Sequence, residues 1–122
     1  MMLNPDHPTA VLRDAWRHVR LDDIRAAARA TIVELENGTR AALLLQHESG
    51  RAPSSTFSAT ARALWVCCNE VRTESGLAEV GQGIAVPNRG ADPAWDSLYS
   101  SELERYRTLA GQALMRRLIP PS

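Results

Sequence analysis

Lysine is absent from this sequence of 122 residues, and all 14 of its basic side chains are arginines. This absence excludes a catalytic lysine, a Schiff base and the phosphate-binding loop of the P-loop nucleotide hydrolases, each of which requires a lysine. Fourteen acidic side chains balance the arginines, so the formal net charge is zero. No overall field therefore draws the protein to nucleic acid or to a membrane, and any contact with nucleic acid requires a local basic patch.

Cysteines and long apolar runs are also scarce. Cys67 and Cys68 are adjacent, so on a helix their side chains diverge by about 100° and cannot form a disulfide with each other. We interpret them as buried thiols in a reducing compartment. The longest purely apolar run, residues 41–45, is too short to span a bilayer, and residues 1–8 lack the basic and apolar blocks of a signal peptide. These features predict a soluble, cytoplasmic protein.

Metal and cofactor motifs are missing. The three histidines and two cysteines form neither a Cys-x-x-Cys nor a His-x-x-x-His spacing, so we expect no metal site. Gly81-Gln82-Gly83 lacks the third glycine of a dinucleotide-binding loop and indicates a turn. We therefore predict no cofactor.

The densest apolar stretch, residues 24–48, is interrupted once, at Asn37-Gly38. Before this point the apolar residues recur with helical period, and glycine readily takes the left-handed conformation that follows a helix cap. We therefore interpret Asn37-Gly38 as a helix stop, after which Thr39 caps a second helix. Residues 41–45 make that second helix apolar nearly all round, which predicts a central position in the fold.

A β-hairpin is the alternative for this stretch, because Asn-Gly is also a strong signal for a two-residue hairpin turn. It would join a strand over residues 31–36 to one over residues 39–45. The adjacent apolar residues Ile32 and Val33 break the alternation of a strand, and residues 25–30 are rich in alanine, which favours helix. We prefer helix, stop, helix.

Three further helices are predicted from periodicity and capping signals. Pro8 and Thr9 begin the first, which ends near Arg20 and buries a stripe of Leu12, Ala15, Trp16 and Val19. Asp22 is the predicted cap of the first helix of the central pair, which comes next in the chain. A separate apolar pattern predicts the second of the further helices over residues 57–72.

The last helix begins at Asp92-Pro93 and continues for about seven turns, or about 40 Å, until Pro120-Pro121. Its predicted buried side consists of Trp95, Tyr99, Leu103, Tyr106, Ala110, Leu114 and Leu118. Residues 75–92 hold too many glycines and prolines for a long element and predict a loop. The sequence thus predicts one all-α domain over residues 1–122, with residues 1–8 as a leader: a bundle of about five helices whose long C-terminal helix packs across the central pair.

The arginines near the amino-terminal end are the best candidates for contact with RNA phosphates, because each guanidinium can donate a fork of hydrogen bonds to phosphate oxygens. They are Arg13, Arg17, Arg20, Arg25 and Arg29. The alternative is an ordinary charged helix face relieved by Asp14, Asp22 and Asp23, and we prefer this alternative.

Arg13-Asp14, followed by His18, resembles the motif of HEPN ribonucleases, which are helical enzymes that work without metal. The resemblance implies a ribonuclease in which Arg13 and His18 act at the scissile phosphate. The alternative, which we prefer, is a surface pair between Asp14 and His18.

Two segments resemble the small helical subunit of the type III-B (Cmr) CRISPR effector complexes, which act in antiviral defence. The first is Arg13-Asp14-Ala15-Trp16 with the later passage Asn37-Gly38 and Ala41-Ala42-Leu43-Leu44-Leu45. The second is residues 104–114, Glu-Arg-Tyr-Arg-Thr-Leu-Ala-Gly-Gln-Ala-Leu. The resemblance implies a non-catalytic subunit that stacks beside other protein subunits and contacts crRNA and target RNA through a basic face.

Two other functions remain open from the sequence. One is a protein-interaction module, such as a phage-encoded or accessory inhibitor that occludes a partner, which the zero net charge favours. The other is the metal-independent ribonuclease.

Overall fold

Four α-helices build the part of the chain that the computed structural model describes, residues 7–48, 54–81 and 93–119. They are α1 (Pro8–Ala15), α2 (Leu21–Glu48), α3 (Ser54–Glu74) and α4 (Pro93–Leu118). These ranges contain no β-strand, so the all-α prediction is confirmed. The count of about five helices is wrong, because the two predicted central helices are one.

Helix α2 continues through Asn37-Gly38 without a break. Gly76, and not Gly38, is the described glycine with a positive φ, so Gly38 has no left-handed conformation to end a helix. A glycine inside a helix costs about 1 kcal/mol relative to alanine, which the alanine- and leucine-rich flanks and tertiary contacts outweigh. Thr39 caps nothing: it is buried, and its hydroxyl donates a hydrogen bond to Tyr106 Oη on α4 at 2.8 Å. The helix stop and the hairpin are both wrong.

Helix α1 is shorter than predicted. His7 caps it by accepting a hydrogen bond at Nδ1 from the Thr9 amide at 3.2 Å, and the helix ends at Ala15 instead of near Arg20. Trp16 therefore leaves the predicted buried stripe and is 43% exposed, while its indole N–H donates to the Glu74 carbonyl at 2.8 Å. Asp22 lies in the first turn of α2 rather than at its cap, where its charge favours the helix dipole.

The carboxyl end of α3 is closed by a Schellman motif. Gly76 has a φ of 75°, and the Leu77 amide donates to the Arg72 carbonyl at 2.7 Å. The chain then returns along α3, where the Asn69 side chain accepts a hydrogen bond from the Val80 amide and donates one to the Val80 carbonyl, at 3.0 and 2.9 Å. The predicted loop is thus non-helical from residue 75 to 81, and its remainder, residues 82–92, lies outside the described ranges.

Helix α4 begins at the predicted Pro93 and, with 26 residues, is about 39 Å long. Its predicted side is buried almost throughout, with Tyr99 partly covered, as expected from the helical spacing. It packs most extensively on α3 and also contacts α1 and α2. The core therefore forms around α4 and α3, and not around a central pair of helices.

Substituting Gly38 with alanine tests the uninterrupted course of α2. A Cβ at this position meets no atom within 4 Å, so we expect Gly38→Ala to raise the free energy of unfolding by about 0.5–1 kcal/mol. Gly76→Ala is the matched control: its positive φ and a contact of 3.3 Å with Arg25 Nη2 should lower the free energy of unfolding by about 1–2 kcal/mol. Urea unfolding followed by circular dichroism measures both, and a destabilised Gly38→Ala variant would contradict the continuous helix.

Candidate docking surface on the second helix

Helix α2 extends beyond the core at its carboxyl end. Thr39 is the last buried side chain described on this helix, and the described side chains that follow it are exposed: Arg40, Ala41, Ala42, Leu44 and Leu45. Leu44 is 56% exposed and Leu45 67%. The predicted central position of residues 41–45 is therefore wrong for every side chain that is described there. Because α2 does not stop at Gly38, the chain keeps its direction and carries these residues away from the core.

The outward face of α2 alternates arginine with apolar residues. Arg29, Val33, Arg40 and Leu44 follow one another at spacings of four, seven and four, which places them on one side of a helix, opposite the buried stripe. Val33 is 54% exposed. No carboxylate of the described residues pairs with Arg29 or Arg40. We call these four residues the outward stripe.

A groove of about 460 Å³ lies beside the outward stripe, between α2 and the segment that follows α3. Its apolar lining comes from Ile32, Val33, Leu77 and Ala78, and its polar lining from Arg29, Glu36 and Arg72. Arg72 lies 3.6 Å from Glu36 and also donates a hydrogen bond to Asn69 Oδ1 at 2.9 Å. Since Glu36 and Arg72 neutralise each other, Arg29 gives this α2 groove an uncompensated positive charge.

Just before the projecting end of α2, which begins at Arg40, charged and polar contacts hold the helix to α4. Glu34 lies 2.9 Å from both Arg116 and Arg117, and the hydrogen bond from Arg117, together with the two positive charges, lowers the pKa of Glu34 despite some desolvation. One turn later, Thr39 bonds to Tyr106. These contacts fix the direction in which α2 leaves the bundle.

The five arginines proposed for RNA contact do not share one surface. Arg13 is exposed on α1, with Nη2 3.4 Å from Glu74 Oε1, and Arg29 belongs to the α2 groove. Arg25 is partly buried, and its guanidinium lies against Gly76 at the carboxyl end of α3, where the helix dipole favours a cation. Arg17 and Arg20 are exposed between α1 and α2, beside Trp16 in the chain.

The residues of the HEPN-like motif are not joined to one another. Because α1 ends at Ala15, Asp14 and His18 do not lie one turn apart on the same helix. No ion pair links the two side chains in the described part of the chain, so the predicted surface pair between them is absent. Arg13 pairs with Glu74, which belongs to α3.

A second cavity, of about 370 Å³, lies between α1 and α3 and is lined by three carboxylates. Each of them already has a partner within the fold: Glu70 binds Arg107 at 2.6 Å, Glu74 binds Arg13 and Glu79 accepts a hydrogen bond from Thr73. Arginines thus pair with two of the three carboxylates, while the described partner of Glu79 is an uncharged hydroxyl, so the charge left in this cavity is negative and opposite in sign to that of the α2 groove.

The two thiols are buried and free of disulfides. Burial raises the pKa of Cys67, and it raises the pKa of Cys68 to about 12. Both side chains are therefore protonated near neutral pH, as expected for structural and unreactive cysteines. Over the described ranges no group of histidine, cysteine and acidic side chains could hold a metal ion, and none of the helices there is apolar over a membrane-spanning length.

Comparison with known proteins adds no relative: no family model, curated protein or solved structure matches this chain.

Polar substitutions of the projecting leucines test whether they contribute to the fold. We expect Leu44→Gln with Leu45→Gln to change the free energy of unfolding by less than about 0.5 kcal/mol, because both side chains are already largely exposed and glutamine is a good helix former. The fully buried Leu114 is the control, and Leu114→Ala should cost about 2–5 kcal/mol. A comparable loss in the double variant would show that the leucines are covered in the folded monomer.

Proposed function

We propose that this protein is a non-catalytic helical subunit that joins a larger protein assembly through the outward side and projecting end of α2. The observation that carries the proposal is the exposure of Leu44 and Leu45 on a helix that continues past its own core. Full burial of a leucine contributes about 1.5–3 kcal/mol, and more than half of each side chain remains to be covered. A partner that buried both exposed parts would gain about 2–4 kcal/mol from them.

The resemblance of residues 13–16, 37–45 and 104–114 to the Cmr small subunits suggests one such assembly, an RNA-guided effector complex. An inhibitor that occludes its target is the alternative within the same proposal, since it would use the same apolar surface. The buried, protonated thiols fit the reducing conditions of the cytoplasm, where we propose that the subunit works.

Contact with RNA is a second proposed function, and the turn between α1 and α2 favours it. Trp16 is nearly half exposed and is held by its hydrogen bond to Glu74, so its indole ring has a fixed position at the surface. Arg17 and Arg20 are exposed close to it in sequence, and neither has a carboxylate partner among the described side chains. An exposed aromatic ring beside unpaired guanidiniums is typical of surfaces that bind single-stranded nucleic acid.

Capture of partners from the native cell tests the assembly role. We expect the tagged full-length chain to retain a defined set of proteins and to lose them when Leu44→Gln and Leu45→Gln are introduced, because the apolar contact area is removed. Leu109→Gln is the control, since Leu109 is an exposed leucine on α4. Quantitative mass spectrometry measures which proteins elute with the wild-type chain, with the double variant and with Leu109→Gln. The proposal fails if the wild-type chain elutes alone, or if the double variant keeps the same proteins.

Titration with a fluorescent single-stranded RNA tests the second function. Replacing Arg17 and Arg20 by glutamine should weaken binding by about tenfold or more and reduce the dependence of the affinity on salt, because two phosphate contacts are lost. The control replaces Arg105 and Arg116, which are already paired with Glu102 and Glu34, and should have a smaller effect. Absence of binding to the wild-type chain at low salt would rule out RNA contact.

A further inference from the structure

We infer that the partner at the outward stripe is an acidic amphipathic helix that inserts an apolar side chain into the α2 groove. The inference rests on the proposed assembly function and names the chemistry of the partner. It is carried by the α2 groove, by the spacing of the outward stripe and by the two arginines of that stripe, which have no carboxylate partner among the described residues.

The α2 groove supplies a recess for an anchoring side chain. Ile32, Val33, Leu77 and Ala78 line it with apolar surface, and its volume of about 460 Å³ exceeds that of any single side chain. Interfaces of this kind obtain most of their binding energy from a few large side chains that enter pockets. A leucine or an aromatic residue of the partner is the natural occupant.

The outward stripe supplies the length and direction of the contact. From Arg29 to Leu44 it extends for 15 helical rises, or about 22 Å, which matches about four turns of a second helix. Val33 and Leu44 lie on the same side of α2, so a partner helix with apolar residues every three or four positions would cover both.

The charges of the outward stripe select an acidic partner. Arg29 and Arg40 have no carboxylate partner among the described residues, while Glu34 is engaged with Arg116 and Arg117, and Glu36 with Arg72. Carboxylates on the partner would therefore meet two guanidiniums, Arg29 at one end of the contact and Arg40 one turn before the other end.

A second copy of this chain and an RNA are weaker candidates for the same surface. Two copies of the outward stripe would bring arginines together, and none of its four residues is a carboxylate that could pair with them. An RNA would satisfy the arginines but would leave Val33, Leu44 and the apolar lining of the groove without apolar contact.

A displayed library of peptides of about 16 residues, biased towards helix, is the probe for this inference. The library is selected on the immobilised full-length chain, with the Val33→Glu variant as the subtraction target. We expect the surviving peptides to be rich in aspartate and glutamate and to repeat apolar residues at helical spacing. Survivors that are basic or lack this spacing would overturn the inference, as would a library that the Val33→Glu variant depletes completely.

The affinity of the strongest peptide then tests the charges. Arg29→Glu combined with Arg40→Glu should weaken binding by at least about tenfold, and a peptide with its acidic residues changed to lysine should restore binding to this double variant. Arg17→Glu with Arg20→Glu is the control of equal charge and should leave binding nearly unchanged. Circular dichroism checks that each variant folds, which we expect because these arginines are exposed and lack ion-pair partners within the described ranges.

Three outcomes would overturn the inference: equal binding by the two charge-reversed proteins, competition by a single-stranded RNA that Val33→Glu does not affect, or a wild-type dimer that Arg29→Glu with Arg40→Glu dissociates. The proposed function fails separately, through the cellular capture experiment. Acidic helical peptides could bind as expected even if the cell contained no assembly, so the two failures are distinguishable.

Discussion

Packing of α4 against α3 is the interaction on which the rest of the fold depends. Both helices bury small side chains completely, Ala59 and Ala63 on α3 and Ala110 and Ala113 on α4. Small residues allow two helix axes to approach closely, and this pair has the most extensive contact in the described structure. α1 and α2 each pack against both members of the pair. A change that separated α3 from α4 would therefore remove the surface on which the other helices rest.

Buried hydrogen bonds set the alignment of α4 with its neighbours. The Trp95 indole donates to Ser58 Oγ at 2.7 Å, and the Thr39 hydroxyl donates to Tyr106 Oη at 2.8 Å. A buried polar group without a hydrogen-bond partner destabilises the fold. A shift of α4 along its axis would break these two bonds and so lower the free energy of unfolding. Apolar packing thus holds the helices together, and these two bonds specify their relative positions.

Local sequence signals predicted α4 far better than α2. The buried side of α4 repeats over many turns, and Pro93 marks its start, so the period and the capping signal agree. At Asn37-Gly38 two local signals favoured a break, whereas the helix continues to Glu48, and Thr39 within it bonds to Tyr106, which is 67 residues away. Because Thr39 and Tyr106 are far apart in the sequence, no pattern of neighbouring residues predicts their hydrogen bond.

The docking surface on α2 was not predicted, because it depends on the continuity of α2 through Gly38 and on tertiary structure. The sequence indicated Arg29 through its charge, but a stop at Gly38 divided the outward stripe between two helices and hid the common side of Val33, Arg40 and Leu44. Their spacing shows one face only if α2 is continuous. The α2 groove needed tertiary structure as well, because its Leu77 and Ala78 come from a separate part of the chain.

The uninterrupted course of α2 also bears on the entropy of association. Fixing the backbone of a disordered residue costs about 1–2 kcal/mol, and a partner that ordered a flexible tail would meet this cost for each residue during binding. Residues 40–48 are already helical and continue from a segment anchored in the core. These residues become ordered when the protein folds and not when a partner binds. A partner would therefore bind a preformed surface, and more of the free energy of its contacts would appear as affinity.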